Sequence, residues 1–295
     1  MKHTLKITIM LTIVFLVAQI IGLAVINANI DQKSSEEKGE VVFKALPYDI
    51  ERPPIEEQSS FLYIMSAILI GTFLVFLLIR FKKHNLWKIW FLFAVILTLA
   101  IAFSAFIPST IAMTLAILLG IWKVFKPNPV IHNTTEVFIY GGLAAIFVPL
   151  MNVFAAFMLL ILISIYDMIA VWKSKHMVKM AKFQTASKVF AGLSIPYEKI
   201  PTKIKKGASV EKKVKTAILG GGDIGFPLLF TGVVMKGIML DNTLLIGFLK
   251  ILIIPAITSI ALFILLVKGK ENRFYPAMPF LSIGCFVGYL VVLNL

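Results

Sequence analysis

Again and again this chain runs through about 20 consecutive apolar residues, the length a helix needs to cross a hydrocarbon core ~30 Å thick. The runs are continuous rather than alternating. Backbone groups in lipid can be satisfied only within a helix or a closed barrel, so continuous runs mean helices. Composition agrees: 59% of the 295 residues are hydrophobic and 15% are charged. The sequence predicts an all-α, multi-pass membrane protein with nine spans, at about Leu5–Ile26, Phe61–Ile79, Leu86–Phe106, Ser109–Phe125, Val137–Val153, Phe154–Trp172, Thr216–Met235, Thr243–Val267 and Phe274–Leu293. The divisions at Pro108 and Asn152 are very short, so each should join antiparallel neighbours. The first run is too long for the apolar core of a cleaved signal peptide and reads as a retained anchor.

A net charge of +14 would suit nucleic acid if it were concentrated on one soluble face. Here the lysines sit mainly in loops between apolar runs, which is how a membrane protein sets its orientation. A cytoplasmic N-terminus places most Lys and Arg inside, including the twelve lysines from Lys173 to Lys215. With nine spans the C-terminus is then outside. This divides the chain into a six-span region (1–172), a basic cytoplasmic loop (173–215) and a three-span region (216–295). Lys175, Lys179 and Lys182 share one helical face of that loop and suit an anionic lipid surface. The outer loop 29–60 reads either as a partly ordered cap or as a disordered strap. Cys285 is the single cysteine, so no internal disulfide forms. No internal repeat appears, which weakens a transporter built from repeated halves.

Carboxylates within the apolar runs carry the functional information. Asp167 lies in Ser164-Ile165-Tyr166-Asp167-Met168-Ile169, and Asp223 in Gly220-Gly221-Gly222-Asp223-Ile224-Gly225. A charge at membrane depth costs at least ~2.5–3.5 kcal/mol, so such groups face a wet cavity or a partner. Taken along helices, Asp167 is about five residues and Asp223 about seven from the inner ends of their spans, a depth difference of roughly 3 Å at 1.5 Å per residue. Two carboxylates meeting there would share a proton, the working state of an aspartyl protease. From the residues alone, three readings stay open: catalysis, a cation or proton path through a transporter or channel, and a structural hydrogen bond between helices.

The motifs narrow this. Tyr166-Asp167, then Gly220-Gly221-Gly222-Asp223, then Pro276-Ala277-Met278-Pro279, in order on the sixth, seventh and ninth runs, resemble the YD, GxGD and PAL motifs of the presenilin and signal peptide peptidase family. The resemblance implies an intramembrane aspartic endopeptidase in which Asp167 and Asp223 form the catalytic dyad, with transmembrane protein substrates and no metal or organic cofactor. Prepilin peptidases also carry a GxGD, but not this set. The N-in orientation resembles presenilins, while Ile224-Gly225-Phe226-Pro227 is closer to the signal peptide peptidase pattern. The mixture looks like a simple presenilin homologue of the archaeal kind in a prokaryotic cell membrane. Its partners would be the bilayer and its substrates; self-association is compatible with the sequence, and nucleic acid is not expected. Met278 stands where leucine is usual, a volume-conserving swap, and Gly221 where leucine is common.

The remaining residues read as follows. Gly220, Gly221 and Gly222 would weaken the start of their helix at ~1 kcal/mol each and admit an extended substrate. Gly221 and Gly225 also form a small-xxx-small packing pair. Pro276 and Pro279 favour an extended entry to the last helix, which in the family shapes the active site. Tyr166 has a supporting role. Lys250 snorkels outward, and Glu136 sits at an interface.

Overall fold

The computed structural model describes residues 4–174, 176–187, 189–200, 213–241, 244–269 and 275–295. Lys175, residues 201–212, Thr243 and Phe274, on which parts of the expectations above rest, lie outside them.

Helices dominate. The first, α1 (Leu5–Ala28), leads through β1 (Ile30–Asp31), α2 (Gln32–Lys38) and β2 (Val42–Phe43) to α3 (Ser60–Arg80), α4 (His84–Ser104) and α5 (Ser109–Phe125). Then come α6 (Pro129–Phe147), α7 (Val153–Met168) and α8 (His176–Ala186), a β3 (Gly192–Ile200) and β4 (Lys213–Gly220) hairpin, and α9 (Gly221–Asp241). The chain finishes with α10 (Leu244–Ile251), α11 (Ile253–Lys268) and α12 (Met278–Leu293). Among the described residues, seven helices are long and apolar enough to cross a membrane, and α5 and α12 are shorter apolar helices.

Three helix boundaries depart from expectation, each for a local reason. α6 starts well before Val137, because Asn128 accepts from the Val130 amide at 2.8 Å and Pro129 occupies the first turn, where its missing N–H is harmless. The seventh span does not begin at Thr216: residues Thr216–Gly220 are strand, and the helix starts at Gly221. The eighth is broken at Leu252, four residues after Phe248, because Pro255 cannot donate to the Ile251 carbonyl and its ring crowds that carbonyl.

Packing centres on α1 and α9. α1 buries Leu11, Phe15, Ala18 and Leu23 completely and packs against α6, α9 and α11. α9 packs against α1, α6, α7, α11 and α12. α4 and α5, expected to be neighbours across the Pro108 turn, do pack together. α6 and α7 do not pair along their lengths. A 3-10 turn at Val148–Leu150 and the Asn152 cap on the Ala155 amide (2.8 Å) splay them, and α9 packs against both.

On one side of the bundle residues 29–60 form an ordered cap. Lys44 N–H donates to the Asn29 carbonyl (2.8 Å), Tyr48 hydroxyl to the Ser109 carbonyl (2.7 Å), and Lys236 bridges the Glu57 carboxylate (3.0 Å) and the Met151 carbonyl (2.8 Å). On the other side lies the β3–β4 hairpin, with Gly192 opposite Gly220.

Candidate active site

Asp167 occupies the last turn of α7 and is only 3% exposed. Its Oδ2 accepts from the Met278 N–H at 3.1 Å. Met278 is the first residue of α12, whose leading amides have no partner within the helix, so the carboxylate satisfies one of them and meets the positive end of the helix dipole. Ala277, which leads into that amide, has helical rather than the expected extended backbone (φ −86, ψ −31), because it already caps the helix, and Pro279, in the first turn, has no amide to leave unpaired. Two residues beyond Asp167 the α-helix loosens into one turn of π-helix (Ile169–Lys173), closed by Ser174 N–H to the Ile169 carbonyl at 2.9 Å. Such turns gather at functional sites because they re-aim side chains without ending a helix.

Asp223 is the third residue of α9, in its first turn, where the helix dipole favours an acid. A Cβ on Gly220 would stand 3.2 Å from Asp223 Oδ2, so the carboxylate lies back over the hairpin end. The matched depth expected of the two acids rested on helical rise from Thr216. Strand rises about 3.3 Å per residue instead of 1.5 Å, so that arithmetic does not hold. What the fold provides is contact between the three carriers: α7, α9 and α12 pack against one another in every pairing.

The chain matches the family described as "Signal-peptide peptidase, presenilin aspartyl protease" over residues 48–294. It belongs to that family. It is an intramembrane aspartic endopeptidase. Two structures of a presenilin family intramembrane aspartate protease, in space groups C222 and P2, share its fold, with TM-scores of 0.60 and 0.62 at 18% and 17% identity. The matches cover 95% and 96% of this chain and 94% and 96% of those chains. No curated protein matches.

In this protease the Tyr166 hydroxyl links neighbouring helices. It bonds to His176 Nε2 (2.9 Å) and Thr72 Oγ1 (3.1 Å), tying α7 to α8 and α3, so it anchors its helix. Gly221 is the packing glycine: a Cβ there would lie 2.7 Å from the Tyr140 hydroxyl, and one on Gly225 would lie 3.6 Å from the same ring. Lys250 reaches the Leu295 carbonyl at 3.3 Å, at the chain's end.

Three polar residues around this site are not apparent from sequence. Glu136 is not interfacial; it is 1% exposed and pairs with Lys123 at 2.7 Å. The late predicted start of α6 hid it, although Asn128-Pro129 is a legible helix-entry signal. Gln19, fully buried on α1, donates to the Ile224 carbonyl at 2.9 Å, one residue past Asp223. A lone amide in an apolar run gives no sequence indication of its partner more than 200 residues away.

Proposed function

We propose that this protease hydrolyses peptide bonds within transmembrane segments of membrane proteins, using Asp167 and Asp223 as its dyad. The observation that carries the reading is the buried Asp167 carboxylate capping α12 at Met278, while α9, with Asp223 in its first turn, packs on both α7 and α12. Close carboxylates share one proton. The ionised one takes a proton from water as its oxygen attacks the scissile carbonyl carbon. The protonated one polarises that carbonyl, and a proton then passes to the departing amide nitrogen as the C–N bond breaks.

A helical peptide bond is shielded by its own hydrogen bonds, so the substrate must unwind locally. Gly220–Gly222 and the Pro276–Pro279 entry border the place where the extended form would lie. We read the topology as nine spans, with α5 and α12 crossing as well, the N-terminus in the cytoplasm, the C-terminus outside, and water entering from the cytoplasmic side. The 1–172 region carries Asp167, 173–215 is the cytoplasmic connection, and 216–295 carries Asp223 and the PAM segment. The setting is a prokaryotic cell membrane.

The test is cleavage of a reconstituted single-pass substrate. Asp167→Ala and Asp223→Ala should each abolish product while the protein still melts cooperatively. Full activity in folded Asp223→Ala would overturn the assignment.

A further inference from the structure

A buried polar hub stands behind Asp223, built from residues that no motif contains. Glu136 on α6 is its centre. One carboxylate oxygen, Oε1, meets Lys123 Nζ of α5 at 2.7 Å. The other, Oε2, accepts from the Tyr140 hydroxyl one turn along α6 and from the Gly192 N–H at 3.0 Å. Lys123 in turn donates to the His132 carbonyl (3.2 Å) and Thr135 Oγ1 (3.1 Å), so its ammonium is held on several sides. Lys123 and Glu136 are both almost completely buried. A pair this dry costs desolvation on both ions and is not an economical way merely to hold two helices together.

We infer that Glu136 is a positioning residue for Asp223, acting through two arms. The first arm is backbone. Gly192, clamped by Glu136, lies opposite Gly220 in the β3–β4 ladder, and the Gly221 N–H donates to the Ala191 carbonyl at 3.2 Å. The clamp extends along β3, where Asn133 both donates to the Ser194 carbonyl (2.8 Å) and accepts from its amide (2.9 Å), and His132 Nε2 meets the Gly192 carbonyl at 2.7 Å. Gly192 has φ +136 and a Cβ there would fall 2.1 Å from the Leu219 carbonyl oxygen, so this junction tolerates only glycine. The hairpin end, and hence the residue three positions before Asp223, is therefore located by α6.

The second arm is the Tyr140 ring. Held by its hydroxyl on Glu136, it lies over Gly221 and Gly225, the two small positions flanking Asp223 on α9. One carboxylate thus fixes the first turn of α9 from the strand side and from the helix face. Because a displacement of about 1 Å at a reacting group costs on the order of a hundredfold in rate, such bracing bears on turnover rather than on substrate docking.

This inference rests on Asp223 belonging to the dyad, and that is checked first: wild type must cleave and Asp223→Ala must not. The hub is then tested in the full chain, reconstituted with a single-pass substrate. Lys123→Met/Glu136→Leu removes both charges and the acceptor. It should lower kcat about tenfold or more with KM within about twofold of wild type, and speed hydrogen exchange at the Asp223 and Ile224 amides. Lys123→Met/Glu136→Gln is equally uncharged but keeps an oxygen for Gly192 and Tyr140, and should bring kcat back to within about threefold. Equal kcat in the two double variants would overturn the inference. If the Leu variant fails to fold, Tyr140→Phe decides: it keeps the ring and the ion pair, and a kcat equal to wild type would refute the second arm and the two-armed hub with it.

Discussion

A single methyl group separates alanine from glycine at 221, yet it would sit 2.7 Å from a hydroxyl that Glu136 holds in place. The neighbour cannot swing away as a free side chain would. Gly221→Ala should therefore cost about 1–3 kcal/mol by overpacking, read as a lower melting temperature, and should reduce cleavage because the strain falls two residues from Asp223. His176 supplies a pH-dependent contact at the same scale. Partial burial holds its imidazole below the ordinary 6.5. The folded protein then binds fewer protons than the unfolded one, so the contribution is complete above 6.5 and is lost as pH falls through the folded value. Exchange of the α8 amides, corrected for intrinsic rate, should accelerate at pH 5 relative to pH 7.5, and His176→Gln should remove that difference.

Elements in this bundle meet through small residues, because lipid offers helices no hydrophobic reason to associate. α12 is the clearest instance. A Cβ on Gly284 would approach Thr258 Cα to 2.9 Å and one on Gly288 would approach Ile254 Cα to 2.8 Å, so α12 lies backbone to backbone on α11 along a glycine-xxx-glycine stripe. That stripe is visible in the sequence, but only the packing shows which neighbour it faces. Gly288→Leu would drive the helices apart by a full side chain. We expect a fall in stability of several kcal/mol and, because α12 begins at the Asp167 cap, a loss of cleavage larger than the thermal change alone accounts for. Gly71 on α3 has nothing within 4 Å of a Cβ, so Gly71→Ala should leave both readings near wild type and serves as the control.

For the molecule as a whole, orientation is the testable property. Glu37 and Lys126 are exposed on loops that the lysine distribution assigns to opposite sides of the membrane. Cys285 is buried, so a thiol introduced by Glu37→Cys or Lys126→Cys can be read in its presence. An impermeant maleimide on intact cells should label Glu37→Cys and should reach Lys126→Cys only after permeabilisation; the reverse pattern would invert the topology. The apolar runs made the helical membrane class legible because lipid leaves so few ways to satisfy a backbone, and Tyr166-Asp167, Gly220–Asp223 and Pro276–Pro279 made the chemistry legible because each is a local residue set. The strand at Lys213–Gly220 was not legible, since residues 213–215 read as the end of the basic loop and Thr216–Gly220 as the first turn of a helix until β3 is there to pair with them. Glu136, Lys123 and Gln19 escaped for the same reason. A buried polar group takes its meaning from the partner that satisfies it, and that partner is chosen by how distant segments pack, which no local pattern encodes.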